Sequence, residues 1–174
     1  MRALRHLLAI GLLPGVVAGV VPALLVERLA SWPLVLLGGL VAGFGLALIV
    51  QTVALFATVG KGTLAPWDPT ARLVVRGPYR RVRNPMISGV LCVLLGEALM
   101  FGSPAVLAWF AIVFAVNALY FPLVEEPGLR RRFGADYEAY SAAVPRWLPR
   151  LRPWTMEASP PSAPGGRRAW RAGR

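Results

Sequence analysis

The distribution of charge along this chain constrains its fold more than any other feature of the sequence. Four nearly uncharged, apolar stretches of 16 to 26 residues are separated by short or basic segments, and they comprise residues 7–26, 34–59, 86–101 and 105–124. A helix of about 20 apolar residues crosses a hydrocarbon core of about 30 Å. Soluble domains instead disperse their apolar residues by amphipathic periodicity. The pattern therefore predicts an all-α, polytopic membrane protein with about four transmembrane helices.

The composition of the 174 residues supports the membrane interpretation. Hydrophobic residues make up 56% of the chain, and its mean hydropathy is +0.58. Small residues let membrane helices approach one another closely, and the chain has 18 glycines. Four of them lie near the start of the second apolar stretch and are predicted to form a helix-packing face: Gly38, Gly39, Gly43 and Gly45. The third stretch has only 16 residues, so its helix is predicted to rise about 24 Å, which is less than a full core.

The net charge of +11 does not indicate a nucleic-acid partner. The arginines flank the apolar stretches, as the positive-inside rule and contact with anionic headgroups predict. Residues 60–84 and the C-terminal region hold most of the basic side chains, whereas the turns on the opposite face hold only Arg28. We therefore expect both termini to be cytoplasmic. Eighteen arginines against one lysine indicate a GC-rich bacterial genome, and hence the bacterial inner membrane.

Cysteine and histidine are too scarce for several kinds of site. Cys92 is the single cysteine and lies within an apolar stretch, so no disulfide framework can form within one chain. His6 is the single histidine and lies beside basic residues at the start of the sequence. We therefore expect no metal site and no Ser/His/Asp triad.

The chain divides into three regions. Residues 1–59 form an N-terminal membrane segment of two helices, and residues 60–154 form a loop, a helical hairpin and an amphipathic C-terminal region of short helices. Two short cytoplasmic helices are predicted over 127–133 and 136–144, with Gly134 between them. Residues 155–174 are rich in Pro, Gly, Ala and Arg, which predicts a disordered tail.

Two segments at the mouth of the hairpin carry the groups suited to chemistry. Residues 76–89 lead into the third apolar stretch, and residues 125–134 leave the fourth, so the hairpin brings them together. Asn84 before Pro85 suits a helix N-cap with proline at the first helical position, and free N–H groups there attract a carboxylate. Arg83 would add a charge-assisted donor. Two acidic residues of the second segment could face an ammonium or sulfonium group, or accept ribose hydroxyls: Glu125 and Glu126.

Each of these groups also has a purely structural interpretation. Asn84 could do no more than cap its helix, and the arginines of residues 76–83 could serve only as topology determinants and headgroup contacts. Glu126 and Arg130 are four residues apart, which suits an ordinary surface ion pair. Three polar residues within the apolar stretches have structural interpretations too, as an interfacial acid or as hydrogen-bonding groups between helices: Glu97, Asn117 and Gln51.

An ordered set of motifs over about residues 60–152 resembles a known family. It comprises the run 77–89, the paired glutamates 125–126, and then Leu129, Phe133-Gly134, Tyr137, Tyr140 and Val144-Pro145-Arg146. This set is similar to the isoprenylcysteine carboxyl methyltransferase family and its phospholipid methyltransferase relatives. The resemblance implies a membrane-embedded methyltransferase that uses S-adenosylmethionine, held between the two segments and facing the cytosol, with a lipid-side route for the substrate. The residues so implied are Arg83, Asn84 and Glu125 for catalysis, and Tyr79, Arg83, Asn84, Pro85, Gly89, Glu125 and Glu126 for the cofactor.

Two positions depart from the family's Arg-His-Pro-x-Tyr-x-Gly motif, which lies on Arg83 to Gly89. Asparagine replaces histidine at Asn84, and isoleucine replaces tyrosine at Ile87. Asn84 can donate and accept hydrogen bonds, but it cannot act as a base near neutral pH. Methyl transfer to an anionic carboxylate would not need such a base, because the sulfonium is already a good leaving group and positioning supplies much of the rate.

The leading hypothesis is methyl transfer to a lipophilic or membrane-partitioned small molecule. One alternative is a non-catalytic protein of the same fold that binds lipid or a partner, which the two departures favour. A second is an NADPH-dependent membrane reductase, since sterol reductases resemble this family in their C-terminal helices, although the sequence has no dinucleotide fingerprint. The sequence selects no particular methyl acceptor and no oligomeric state.

Overall fold

The computed structural model of this chain describes residues 11–26, 28–60 and 73–155. These ranges contain helices and turns but no strand, as the all-α prediction requires. Several predictions lie outside the described residues and stay predictions. They concern the basic start of the chain with His6, the start of the first apolar stretch, the first half of the 60–84 loop, and the tail beyond Thr155.

The second and fourth apolar stretches form helices of membrane-spanning length. Helix α1 is Val21–Leu25, and it follows a π-helical segment, Gly11–Val20. Helix α2 is Trp32–Leu55, and it continues into a π-helical segment, Phe56–Gly60. The continuous helix Trp32–Thr58 has 27 residues, and a second one, Pro104–Phe133, has 30. The described apolar helices Gly15–Leu25 and Pro85–Phe101 are shorter, so the count of four spans stays a prediction.

The predicted hairpin forms around a tight turn. Helix α3 is Pro85–Phe101, and α4 is Pro104–Tyr120. Gly102 ends α3 with φ 56°, a left-handed conformation that glycine adopts without a steric penalty. Ser103 then caps α4, because its hydroxyl accepts the backbone N–H of Val106 at 3.3 Å.

The last helices are the continuation of α4 and a short helix that packs back on it. A π-helical segment Phe121–Glu125 joins α4 to α5, Glu126–Phe133, and α6 is Ala135–Ala143. A helix of 30 residues is about 45 Å long, so its charged end extends beyond an apolar core of about 30 Å. The bounds of these helices agree with the predicted 127–133 and 136–144 to within one residue at each end, but the first is the end of a longer helix and not a separate short one.

Glycines form the contact between α2 and α3. A Cβ added to Gly45 would lie 2.5 Å from the carbonyl oxygen of Gly89, and one added to Gly96 would lie 2.5 Å from that of Gly38. Only glycine permits this approach of two backbones. Gly39 and Gly43 have no heavy atom within 4 Å of such a Cβ, so the prediction that they join this face is wrong. The reason is geometric: positions 38 and 45 are two helical turns apart on one stripe, and 39 and 43 lie beside it.

The polar side chains of the apolar helices bond mainly within their own helix. Asn117 donates from Nδ2 to the Val113 carbonyl at 2.8 Å, and the Thr52 hydroxyl donates to the carbonyls of Leu48 and Ile49. The expected bond from Asn117 to another helix is therefore not seen among the described residues. Glu97 has one carboxylate oxygen buried without a hydrogen-bond partner in the described part of the chain.

Candidate functional site

A small aromatic core supports the mouth of the hairpin. Tyr137 and Tyr140 of α6 are 2% and 3% exposed, and Val144 is buried beside them. The Tyr140 hydroxyl donates to the backbone carbonyl of Tyr79 at 2.8 Å. Tyr79 lies in a short 3₁₀ helix, Gly77–Arg80, which leads toward α3. This bond therefore ties α6 to the segment that positions Arg83.

An extended strap, residues 144–154, runs along the same segment. The backbone N–H of Arg83 donates to the Pro145 carbonyl at 3.0 Å, and that of Trp154 donates to the Arg80 carbonyl at 2.8 Å. The Arg80 side chain returns a bond from Nε to the Trp154 carbonyl at 2.7 Å. These bonds run between backbones in irregular conformations, and together they fix residues 80–83 between α3 and α6.

The two tryptophans of the strap pack against aromatic rings. The Trp147 ring centroid lies 5.2 Å from that of Phe114 and 5.7 Å from that of Phe121, so it covers the end of α4. Trp154 lies 5.8 Å from Tyr140. These contacts show that both tryptophans anchor the strap to the helices.

The carboxylate of Glu126 is the centre of the polar cluster. Its Oε1 accepts a hydrogen bond from Arg146 Nε at 2.7 Å and lies 3.1 Å from Arg83 Nη1. Its Oε2 lies 3.9 Å from Arg130 Nη2. The pair of Arg83 with Glu126 confirms that the hairpin brings the two predicted segments together. Glu126 is 5% exposed whereas the Arg130 side chain is 51% exposed, so this third pair joins a buried carboxylate to a half-exposed guanidinium.

Sequence reasoning did not assign Arg146 to the site. Its pKa is raised above its ordinary value, first by the hydrogen bond with Glu126. Arg146 is the last residue of the Val-Pro-Arg motif on which the family resemblance partly depends, and that motif was the available signal. No periodic pattern predicts where the strap would place its guanidinium.

Arg83 has bonding capacity left in this cluster. Its side chain is 13% exposed, yet its Nε is buried and has no hydrogen-bond partner among the described residues. Tyr137 is close enough to this cluster to be influenced by it: burial raises the pKa of Tyr137 first, the charge of Glu126 raises it further, and Arg83 lowers it. A buried donor without a partner is costly, so Arg83 Nε is suited to an incoming acceptor.

Glu125 differs from its neighbour in its contacts. The ion pairs that join described residues of this cluster all end on Glu126. Glu125 instead lies near Tyr79, whose pKa is raised well above its ordinary value by burial and then by the charges of Tyr140 and Glu125. Two adjacent acids thus have separate environments: Glu126 is bound by arginines, and Glu125 takes part in none of the ion pairs that join described residues of the cluster.

The remaining predicted site residues lie at the start of α3. Asn84 precedes Pro85, which is the first residue of the helix, but the Asn84 side chain makes no capping bond. The predicted N-cap position with proline at the first helical position is therefore confirmed, but the side chain does not supply the cap, and the Asn84 carbonyl accepts the N–H and hydroxyl of Ser88, each at 3.0 Å. Pro85 is buried. Gly89 lies in the contact with α2, where an added Cβ would be 2.8 Å from the Gly45 carbonyl oxygen.

Ile87 also has a structural role that the sequence did not reveal. Its side chain packs against the apolar core of α2, α3 and α4. Isoleucine at this position therefore fills the core with an apolar group, where a tyrosine hydroxyl would need a hydrogen-bond partner.

Two clefts open beside the cluster and share Gly77 in their walls. One has a volume of about 470 Å³ and is lined by Val75, Arg76, Gly77, Arg80 and Thr155. The other has a volume of about 300 Å³ and is lined by Gln51, Ala54, Leu55, Thr58, Gly77 and Pro78.

Comparison with known proteins identifies the family. The family model for phospholipid methyltransferase matches residues 35–136, which is more than half of the chain. The match includes α2 to α5 and ends before Tyr137, so it contains Arg83, Glu125 and Glu126 but not Arg146. Neither the curated proteins nor the solved structures give a match. The chain therefore belongs to the phospholipid methyltransferase family, whose members are membrane methyltransferases.

Proposed function

We propose that this protein transfers a methyl group from S-adenosylmethionine to a lipophilic or membrane-partitioned small molecule. Membership of the family supports methyl transfer, and two long apolar helices support a membrane location. The single observation that carries the site assignment is the buried Nε of Arg83, which has no hydrogen-bond partner among the described residues. Such a donor suits the carboxylate of an amino-acid moiety.

The residues around Arg83 fit the cofactor. Arg83 Nε would donate to the carboxylate, and the N–H groups at the start of α3, after Asn84 and Pro85, would favour the same negative charge. Glu125 would accept ribose hydroxyls or face the ammonium group, and its charge acts on the nearby Tyr79 phenol. Glu126 would act indirectly, because its carboxylate already holds Arg83 and Arg146 in place.

The chemistry needs positioning more than acid–base groups. When bound, S-adenosylmethionine supplies an electrophilic methyl group, and the electron pair of the broken C–S bond stays on sulfur as a neutral thioether. Asn84 cannot accept a proton near neutral pH, so an acceptor that is already anionic suits this site best. For an acceptor that must lose a proton, the carboxylate of Glu125 would take it. The chain would then contribute by alignment and by excluding water.

Binding measurements on the purified full chain in detergent test the proposal. Calorimetric titration is expected to detect S-adenosylmethionine and not NADPH. Glu125→Gln and Arg83→Ala should each weaken binding about tenfold or more, the loss expected for one charge-assisted contact. Arg81→Ala is the matched control, because Arg81 is a neighbouring exposed arginine, and it should change binding less than about twofold.

Three outcomes would contradict the proposal at different levels. Absence of S-adenosylmethionine binding at millimolar concentration would overturn the activity, and binding of NADPH in its place would favour the reductase. Binding that neither variant weakens would overturn the site. Binding without transfer of a labelled methyl group to any organic-soluble molecule of a membrane extract would favour the non-catalytic alternative, which the Asn84 departure motivates.

A further inference from the structure

Three consecutive residues of the strap are each fixed to a different part of the molecule. The Pro145 carbonyl accepts the backbone N–H of Arg83 at 3.0 Å. Arg146 Nε donates to Glu126 Oε1 at 2.7 Å. The Trp147 ring packs against two aromatic rings of α4 and its continuation. The Arg146 backbone therefore lies between two anchored neighbours, and its side chain reaches the carboxylate from a fixed point.

The strap holds Arg83 at two points. The first is the backbone bond to Pro145, and the second is Glu126 Oε1, which Arg83 shares with Arg146. That oxygen lies 3.1 Å from Arg83 Nη1 but 2.7 Å from Arg146 Nε, and charge-assisted bonds of such a length are among the strong ones. Arg130 lies 3.9 Å from the other carboxylate oxygen. Arg146 is therefore the tightest anchor of the oxygen that Arg83 contacts.

The corner of Arg83 that Glu126 contacts decides which donors remain. In a guanidinium group, Nη1 lies on the same side as Cδ. The Nε–H points to the opposite side, where it forms an edge with the other terminal nitrogen that suits a carboxylate. Glu126 contacts Nη1, and Nε is buried without a hydrogen-bond partner among the described residues. The anchored carboxylate thus fixes Arg83 without using the donor that suits a ligand.

Removal of Arg146 would change this arrangement in two ways. Glu126 is 5% exposed, and a buried carboxylate needs charged donors. Arg83 would become its nearest partner, so the carboxylate could turn and draw the Arg83 guanidinium out of its present orientation. The group of two cations and one anion would also lose its excess positive charge, which favours an anionic ligand.

We propose that Arg146 is a positioning residue for the cofactor: by anchoring Glu126, it keeps the Arg83 Nε–H directed at the carboxylate of S-adenosylmethionine. This inference rests on the proposed function and extends it to a residue beyond the family match of 35–136. Arg146 acts through Arg83 and not by its own contact with the cofactor. The strap thereby determines how strongly the site selects a ligand that has a carboxylate.

Two ligands that differ in the carboxylate test this role. Both S-adenosylmethionine and its decarboxylated analogue are titrated by calorimetry into the purified full chain in detergent. The wild type should bind S-adenosylmethionine about tenfold more tightly, the effect of one charge-assisted contact. Arg146→Gln should weaken S-adenosylmethionine binding about fivefold and binding of the analogue less than about twofold, so the ratio of the two affinities falls. A merely structural role would weaken both ligands equally.

The matched control lies on the same strap. Arg152 is exposed and is outside the ion pairs of Glu126. Arg152→Gln removes the same charge from the strap and should change the binding of either ligand less than about twofold.

A double variant tests whether Arg146 acts through Arg83. When Arg146→Gln is added to Arg83→Ala, it should change S-adenosylmethionine binding less than about twofold further, because the group that it positions is already absent. Effects of independent residues would instead add.

The ratio of affinities is a safe measure for a destabilised variant, because only folded protein binds either ligand. If Arg146→Gln does not fold, Arg146→Lys carries the same test. Lysine keeps the charge but is a flexible point charge without the planar Nε donor. It should lower the ratio about threefold.

The results that would overturn the inference differ from those that would overturn the proposed function. Equal weakening of the two ligands by Arg146→Gln would overturn the positioning role alone. So would a wild-type ratio in Arg146→Lys, which would show that charge suffices, or a loss in the Arg83→Ala background as large as in the wild type. Absence of S-adenosylmethionine binding by the wild type would overturn the proposed function, and this inference with it.

Discussion

The contact between α2 and α3 and the cluster around Glu126 are held together in opposite ways. In the first, backbones touch because glycine has no side chain, as at Gly45 against Gly89. In the second, one buried carboxylate is surrounded by guanidinium groups from three different segments, with Arg146 Nε at 2.7 Å. The comparison teaches that the stability of the apolar half depends on the volume of its side chains. The stability of the polar half depends on the charge of its side chains and on the positions of particular atoms.

This difference fits the two environments. Lipid supplies no hydrophobic force between apolar helices, so close van der Waals contact must do that work. At the polar end, a buried carboxylate is stable only if charged donors replace its water. Mutations that change volume should therefore damage the first region, and mutations that change charge should damage the second.

Gly45→Leu should produce the largest loss of stability. Its Cβ alone would lie 2.5 Å from the Gly89 carbonyl oxygen and 2.9 Å from the Cys92 Cβ, so the helices must separate. Overpacking a well-packed contact costs about 1–3 kcal/mol, and a clash with backbone should reach about 3 kcal/mol or more. Thermal unfolding in detergent, followed by circular dichroism, measures the effect.

Gly43→Leu is the matched control for that variant. No heavy atom lies within 4 Å of a Cβ at Gly43, so the added side chain meets open space. We expect a change within about 0.5 kcal/mol. Equal losses for the two variants would show that the glycine stripe at Gly38 and Gly45 is not the contact that stabilises the protein.

In the apolar half, the sequence predicted well where the helices lie along the chain and less well which face of each helix makes contact. The length of the nearly uncharged stretches alone predicted α2, α3 and α4, because a helix that crosses the hydrocarbon core must be long and apolar. The glycines were visible too, but the choice between Gly38 and Gly39 depends on the rotation of α2 about its axis. That rotation is set by the partner helix, and no feature of a uniformly apolar helix indicates it.

Glu126→Gln should produce the next largest loss. The amide keeps the shape of the side chain but removes the charge that compensates Arg83, whose side chain is 13% exposed. Breaking a buried pair costs about 3–5 kcal/mol, and the partial exposure of Arg146 and Arg130 reduces this to about 2–3 kcal/mol. The thermal midpoint in detergent is the measurement.

Glu138→Gln serves as the control for the charge change. Glu138 is exposed on α6, and the same substitution there should leave the midpoint almost unchanged. If Glu126→Gln were as mild as Glu138→Gln, the arginine cluster would be a solvated surface network, and the contrast with the glycine contact would fail.

Topology explains which part of the cluster the sequence could predict. Arg83 and Glu126 flank a hairpin, so they meet wherever its two helices pair. Arg146 reaches Glu126 only because the strap bonds to the backbone at Arg83 and Arg80. Those bonds join irregular segments far apart in sequence, and neither periodicity nor local turn chemistry indicates them.

Tyr140→Phe should have a smaller effect. It removes the hydroxyl that donates to the Tyr79 carbonyl at 2.8 Å and leaves that buried carbonyl without this donor. The expected loss is about 1–2 kcal/mol, measured by thermal unfolding. Tyr120→Phe, at a residue that is 42% exposed, should change the midpoint little. An equal effect of the two variants would show that the bond does not tie α6 to residues 77–80.

The smallest expected effect is a difference between the two regions in how their contributions to stability respond to alkaline pH. Burial raises the pKa of Tyr79, Tyr137 and Tyr140, so the folded state keeps protons that the unfolded state releases. The corresponding stability is complete below the ordinary tyrosine pKa of about 10 and is lost as the pH rises above it. At a pH about half a unit above that pKa, ionisation linked to Tyr140 alone lowers the free energy of unfolding by less than about 1 kcal/mol.

Unfolding midpoints measured between pH 8 and about 11 test this sign. Tyr140→Phe should unfold with a weaker dependence on alkaline pH than the wild type, whereas Gly45→Leu should keep the wild-type dependence, because it leaves the three phenols of the aromatic core in place. A wild type whose stability rises above pH 10 would contradict the burial of the three phenols. A pH dependence that Tyr140→Phe leaves intact would place its origin outside the aromatic core that supports Arg83.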